Sequence, residues 1–389
     1  MRCVMFTMET SKKRSTRGFF KTLGTALLAL SFVSSLSQLP AKADNNGLNK
    51  MEMAGTVSES LVTPDELIVE INPAVVAYNV LAGMKAKSWT PITYQAWLVK
   101  FNSHSDLIAA IPFLRNHDDI YSFGRNFKLT QCSSSINYLN NTINGVGGNG
   151  LVDLPTDPHF PSEWHMAAVK CASNQPKETT TSFNGVVILD NGMANKSSNP
   201  DTQIMMDNYD VHGGGWNSSF DSTAKHGTML ATTLGAKWNN IATAGIQRTP
   251  RTWSVRLTQF GQGQITEADL LQGLMWTRAQ VGNTSGYPMA TAVPLNVRPP
   301  YSLSSIKYHP AFHAICKNMY QNFSGLTYVA AGNDGMYDNN PRVPYLNIVG
   351  ACDKEGKILP SSNRGQCLTL LAPGKDIVCT DHAGNVVSG

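Results

Sequence analysis

The sequence predicts an α/β protein: a doubly wound, mostly parallel sheet preceded by a small α+β domain. Three observations carry that expectation. From about Pro155 onward, short apolar runs alternate with helical patterns, beginning with Gly185-Val186-Val187-Ile188-Leu189-Asp190. A continuous apolar run that closes on a charge is how a buried parallel strand reads at its carboxyl end. Upstream, Thr63 to Leu129 reads as strand, helix, strand, helix, strand, an order that suits a small sheet with helices on one face. Between the two lies a stretch rich in Asn, Ser and Gly, which reads as a linker open to proteolysis.

In chain order, residues 1–43 read as a secretory signal. Lys12 to Lys21 form a basic segment, and Leu23 to Val33 an apolar core too short to span a bilayer. Ala41-Lys42-Ala43 then offers a small-x-small cleavage site, leaving Asp44 first. The product is expected to be secreted or periplasmic, with no membrane attachment after signal cleavage.

Residues 63–130 form the small domain. Leu67 to Ile71 is predicted as a strand, Ala74 to Ser88 as a helix, and Trp97 to Phe101 as a strand. Ser103 caps a helix that carries Leu107, Ile108, Ile111 and Leu114 on one face, and Ile120 to Leu129 closes the unit. Residues 131–154 are the linker. Its Gly145-Val146-Gly147-Gly148-Asn149-Gly150 is no dinucleotide loop, because no strand precedes it and no helix follows.

Residues 155–389 are the main domain. Further strands are predicted at Thr252–Leu257, Leu326–Ala331, Leu346–Gly350 and Leu368–Ala372. Helices are predicted at Gly227–Leu234, Thr266–Gln280 and Pro310–Asn322. In such a sheet the site belongs outside the carboxyl ends of the strands.

Charge excludes one class of partner. The formal charge of +4 resides in the leader, where seven Lys/Arg face one acidic residue. The remainder is −2, which gives no reason to expect nucleic acid. Six cysteines follow the leader: Cys132, Cys171, Cys316, Cys352, Cys367 and Cys379. An oxidising compartment would allow disulfides, with the pairing left open by sequence. No Cys/His spacing suits a metal. His309 and His313 have the separation of a zinc pair but lack the accompanying glutamate, and Pro310 stands between them.

The chemistry centres on His226-Gly227-Thr228-Met229-Leu230-Ala231, an imidazole at the mouth of a helix. Such a ring takes a proton from a hydroxyl when a carboxylate fixes its tautomer. Asp190 offers that carboxylate from a strand end. Asn333, in Ala330-Ala331-Gly332-Asn333-Asp334-Gly335, sits on a glycine-flanked turn past another strand, where its amide could donate to a developing oxyanion. Each piece alone is weak; three in order, each at an element's edge, are not.

These segments resemble the aspartate, histidine and oxyanion-hole motifs of the subtilisin-like serine peptidases. Ser362-Asn363-Arg364-Gly365 with Leu371-Ala372-Pro373-Gly374 resembles the stretch before their serine, and Asp157 to His165 the entry to their mature domain. The resemblance implies a secreted serine endopeptidase acting on protein or peptide substrates, with Asp190 and His226 catalytic and Asn333 in the oxyanion hole. It implies that residues 63–129 are an inhibitory propeptide, so that the enzyme's own propeptide is a partner. It requires no cofactor; it admits a structural calcium, for which the sequence specifies no site.

Two departures stand out. Val293 to Pro300 falls where the family has a strand whose backbone pairs with extended substrate, yet Pro299 and Pro300 cannot donate there. Asn385 to Gly389 looks like the lead-in to the serine motif, which places the nucleophile two residues after Gly389. The chain as written is therefore expected to be inactive, a cut just before the serine. The alternative is a non-catalytic exported protein using the same fold as a binding module.

Overall fold

The computed structural model describes residues 59–131, 137–138, 155–169, 185–202, 208–213, 223–247, 251–259, 263–283, 289–297 and 310–389. The signal segment, nearly all of the linker, Arg298 to Pro300, Cys132, Cys171 and His309 lie outside these residues. No helix among those described is long and apolar enough to cross a membrane.

The N-terminal part comprises β1 (Val62–Ile71), α1 (Ala77–Leu81), β2 (Ser88–Pro91), β3 (Ala96–Lys100), α2 (His104–Asn116), β4 (Ile120–Gln131) and the short β5 (Asn137–Tyr138). Its sheet is antiparallel in the order β4-β1-β3-β2. Ser103 caps α2 as its spacing predicts, accepting the Asp106 N–H at 3.2 Å. The helix predicted over Ala74–Ser88 is shorter, because Lys85 takes a left-handed φ of 52° and the chain turns into β2.

β1 is buried on both faces. Leu67, Val69 and Ile71 pack with Leu81, Leu107 and Leu114 beneath the two small helices. Ile68, one residue out of phase, belongs instead to the main core with Phe127, Leu271, Phe312 and Ile315. Period-two alternation thus sends two apolar sets to two cores. Glu66 and Glu70 share the Ile68 face and are buried with it.

The main domain adds α3 (Trp164–Ala168), β6 (Gly185–Asp190), β7 (Tyr209–Asp210), α4 (Lys225–Gly235), β8 (Arg251–Arg256), β9 (Ile265–Thr266), α5 (Glu267–Asn283), β10 (Met289–Val293) and β11 (Leu295–Val297). It continues with α6 (Pro310–Phe323), β12 (Leu326–Ala330), β13 (Tyr337–Asp338), β14 (Leu346–Cys352), β15 (Arg364–Gly365), β16 (Leu368–Pro373), β17 (Val378–Thr380) and β18 (Val386–Ser388). Seven strands form one sheet, β16-β14-β12-β10-β6-β8-β7, with every pairing parallel.

Helices cover both faces. Along β6, Val187 and Leu189 enter the core with Leu270 and Phe312 of α5 and α6. Ile188, pointing the other way, packs on Ala231 and Leu230 of α4. This is the doubly wound α/β architecture that the sequence predicts. The chain leaves β6 toward β8 on one side and returns to β10 on the other, so β6 and β10 flank the switch point where such sheets open a crevice.

The two sheets meet at β4. Its last residues continue antiparallel to β11, in the register Leu129↔Val297, Thr130↔Asn296 and Gln131↔Leu295. β9 pairs with the same strand through Lys128↔Thr266 and Leu129↔Ile265. The strand predicted to end at Leu129 therefore runs through Gln131, because the main domain supplies it with two further partners. Cys316, Cys352, Cys367 and Cys379 are buried as thiols and form no disulfide among themselves. Burial pushes the Cys316 and Cys379 thiols up to about 12, which keeps them protonated and inert.

Candidate active site

Asp190 closes β6 at the switch point, with 1% of its surface exposed. Its backbone carbonyl accepts the Leu257 N–H at 2.7 Å, which fixes the strand end. The carboxylate has divided duties. Oδ2 lies 2.7 Å from His226 Nδ1, while Oδ1 accepts the Asn191 backbone N–H at 2.7 Å and Gln131 Nε2 at 2.6 Å. The structure thus brings together two of the residues singled out in sequence.

His226 is delivered by the first turn of α4, which has no side-chain cap at Ala224. The Asp190 turn supplies the missing acceptor: Asn191 Oδ1 takes the Gly227 N–H at 3.1 Å. Thr228 ties the turn from the other side. Its hydroxyl donates to Ala224 O at 2.5 Å and accepts the Ala194 N–H at 2.9 Å. Two glycines make this closeness feasible. Gly192 sits at φ 97°, and a Cβ on Gly227 would lie 2.0 Å from the Gly192 carbonyl oxygen.

Asn333 follows β12 and is exposed at the same carboxyl edge of the sheet, two strands from β6. Its turn is built by two asparagines that sequence reasoning passed over. Asn363 Oδ1 accepts the N–H groups of Asp334 at 3.1 Å and Met336 at 2.9 Å, and its Nδ2 donates to Ala331 O at 2.9 Å. Asn296 Nδ2 donates to Asp334 Oδ2 at 2.9 Å. Gly332, at φ 101°, leaves room for both amides, since a Cβ there would lie 2.2 Å from Asn296 Nδ2 and 2.5 Å from Asn363 Nδ2.

Ser388 is buried within β18, paired to β17 on one side and β5 on the other. It is a sheet residue and presents no hydroxyl to solvent. His313 donates or accepts at Tyr345 Oη through Nδ1, at 2.8 Å, within an aromatic contact on α6.

No three His, Cys, Asp or Glu side chains among the described residues converge with metal-ligand geometry. Asp157, Glu163 and Asp201 form a buried acidic trio. Asp157 accepts the N–H groups of Asn239 and Ile241, Glu163 that of Ala244, and Asp201 that of Thr243. Burial is the main cause that raises all three. It pushes Glu163 up to about 8 and Asp201 to about 6, with mutual repulsion adding to both. Relative to free carboxyls, all three therefore favour their protonated forms.

Comparison with known proteins bears on this arrangement. The family model described as Subtilase family matches residues 115–388. Alkaline protease 1 of Aspergillus clavatus is 28% identical over 174 residues, covering 43% of this chain and 39% of that protein. The crystal structure of fervidolysin from Fervidobacterium pennivorans, a keratinolytic enzyme related to subtilisin, superposes with a TM-score of 0.62 at 15% identity. That match covers 84% of this chain and 49% of fervidolysin, and speaks to the fold alone. The chain spans less than half the length of each relative.

Proposed function

The chain belongs to the subtilase family of serine peptidases, and from that premise we propose that the whole protein is a secreted endopeptidase cleaving peptide bonds through an Asp/His/Ser triad. The observation that carries this reading is the 2.7 Å contact between His226 Nδ1 and Asp190 Oδ2. A carboxylate on Nδ1 holds the proton there and leaves Nε2 as the basic nitrogen. Nε2 then takes the proton of a serine hydroxyl and later returns it to the leaving amine, while Asp190 stabilises the imidazolium between the two steps. Asn333 supplies an amide donor to the tetrahedral oxyanion, a contribution of roughly 3–4 kcal/mol to the barrier.

In this reading Asp190, His226 and Asn333 provide the carboxylate, the base and the oxyanion donor, and a serine hydroxyl is the nucleophile. The N-terminal sheet acts as the enzyme's own inhibitor. Its β4 occupies β11, the edge that an extended substrate would use, which supports a zymogen reading. No cofactor takes part in this chemistry.

Hydrolysis of an unstructured protein by the full-length protein tests the reading. His226→Ala should lower kcat by about 10⁶ and Asp190→Asn by about 10⁴, the latter because the wrong tautomer is held. Peptide capture without hydrolysis by the wild type would instead make the fold a binding module.

A further inference from the structure

Asp190 Oδ1 has a partner that the triad does not need. Gln131 Nε2 donates to it at 2.6 Å. The glutamine arrives there by backbone pairing: Leu129, Thr130 and Gln131 are registered on Val297, Asn296 and Leu295. Thr130 Oγ1 adds a bond to Asn296 O at 3.2 Å. A slip of one residue would turn the side chain at position 131 to the opposite face, so the register itself aims the amide at the carboxylate. Asp190 is almost wholly buried, and a hydrogen bond to a desolvated, ionised acceptor is among the stronger kinds.

The acceptor also dictates what the partner must be. A primary amide donates to it. A carboxylate of equal length would set two anions at hydrogen-bonding distance beside a buried charge, and an apolar side chain would forfeit the bond. We infer that the surface beside Asp190 Oδ1 is a carboxamide-reading subsite, so that a substrate strand laid on β11 in place of β4 is selected for glutamine at the position Gln131 now holds. The catalytic carboxylate thereby has a second role, with one oxygen orienting the base and the other reading the substrate. This inference rests on the peptidase reading above.

The test uses full-length protein and three synthetic peptides copying residues 125–136, each with Cys132→Ser to exclude oxidation. One keeps Gln131; the others carry Gln131→Glu and Gln131→Leu. At pH 8 the glutamine peptide should exceed the leucine peptide in kcat/KM by about tenfold or more, the loss of one charge-assisted bond. It should exceed the glutamate peptide by about a hundredfold. The glutamine-to-glutamate ratio should shrink as pH falls toward 5 and the peptide carboxylate takes up a proton, whereas the glutamine-to-leucine ratio should hold steady. Equal kcat/KM for the three peptides, or a glutamine-to-glutamate ratio independent of pH, overturns the subsite and leaves the peptidase intact. Failure to hydrolyse any of the three, or an unstructured protein, overturns the peptidase reading and the subsite with it.

Discussion

Glu70 lies where the N-terminal sheet meets the main domain, and its replacement by glutamine makes a quantitative prediction. Its carboxylate accepts Ser122 Oγ from β4 at 2.8 Å and the Ala311 N–H at the start of α6. Glu267 at the start of α5 and the Tyr94 phenol are the charged or titratable groups coupled to it. Two hydrogen bonds and a helix N-terminus favour the anion, yet burial outweighs them and lifts the group from 4.5 to about 7. Glu267 is raised as well, first by burial and then by Glu70. A pKa raised on folding gives stability that is fully present below pH 4.5 and is lost as pH climbs through about 7. Each unit is worth about 1.36 kcal/mol, so the loss is on the order of 3 kcal/mol. Glutamine keeps a carbonyl oxygen to accept Ser122 Oγ and cannot ionise. Urea unfolding of Glu70→Gln beside the wild type should show equal stability at pH 4.5. At pH 8.5 the variant should be more stable by about 3 kcal/mol. A variant that follows the wild-type pH profile, or is weaker at both pH values, refutes the reasoning.

Two further substitutions probe the site's supports. Gly227→Ala would ordinarily stabilise a helix by about 1 kcal/mol. Here the new Cβ meets the Gly192 carbonyl at 2.0 Å, so a net loss of about 2 kcal/mol is expected in thermal or urea unfolding, with peptidase activity falling further as His226 shifts. Asn363→Ala removes three bonds from the Asn333 turn without touching a substrate. In the full-length protein kcat should drop about 10²-fold with KM nearly unchanged, the signature of a donor displaced from the oxyanion; a rise in KM alone would show that the turn serves binding.

How much of this was legible in the sequence depended on the range of the contacts involved. β6 is a continuous apolar run and announces itself. β10, Met289-Ala290-Thr291-Ala292-Val293, is made of small residues and carries no such signal, although it is central to the sheet. The helix predicted from Ala74 ends at Leu81, just before Gly83, and Lys85 then takes a left-handed φ that turns the chain into β2. Glu66 and Glu70 flank Leu67-Ile68-Val69, and no local pattern marks their burial, because the main core covers the face they share with Ile68. At the site, Asp190 and His226 stand out because motif residues sit at element ends. Asn363, Asn296 and Gln131 do not, because each reaches its partner across 27 to 59 residues with no local pattern to mark it. The one available hint was the polar-apolar alternation of β4 continuing past Leu129 into Thr130.

That continuation ties docking to site occupancy. Near its middle β4 contributes Asn126, whose Oδ1 accepts the Ala268 N–H in the first turn of α5 while its Nδ2 binds Glu66 Oε2. At its end the same strand contributes Gln131 to Asp190. An extended strand advances about 3.3 Å per residue, so the four residues between Asn126 and Gln131 fix the amide's reach to within the play of one strand. Ile68 and Phe127, each worth roughly 1.5–3 kcal/mol when buried, hold the sheet against the main core. Against that stands the buried Glu70–Glu267 pair, whose cost grows with pH. Because β4 carries both the helix cap and the amide at the Asp190 carboxylate, whatever loosens the first withdraws the second.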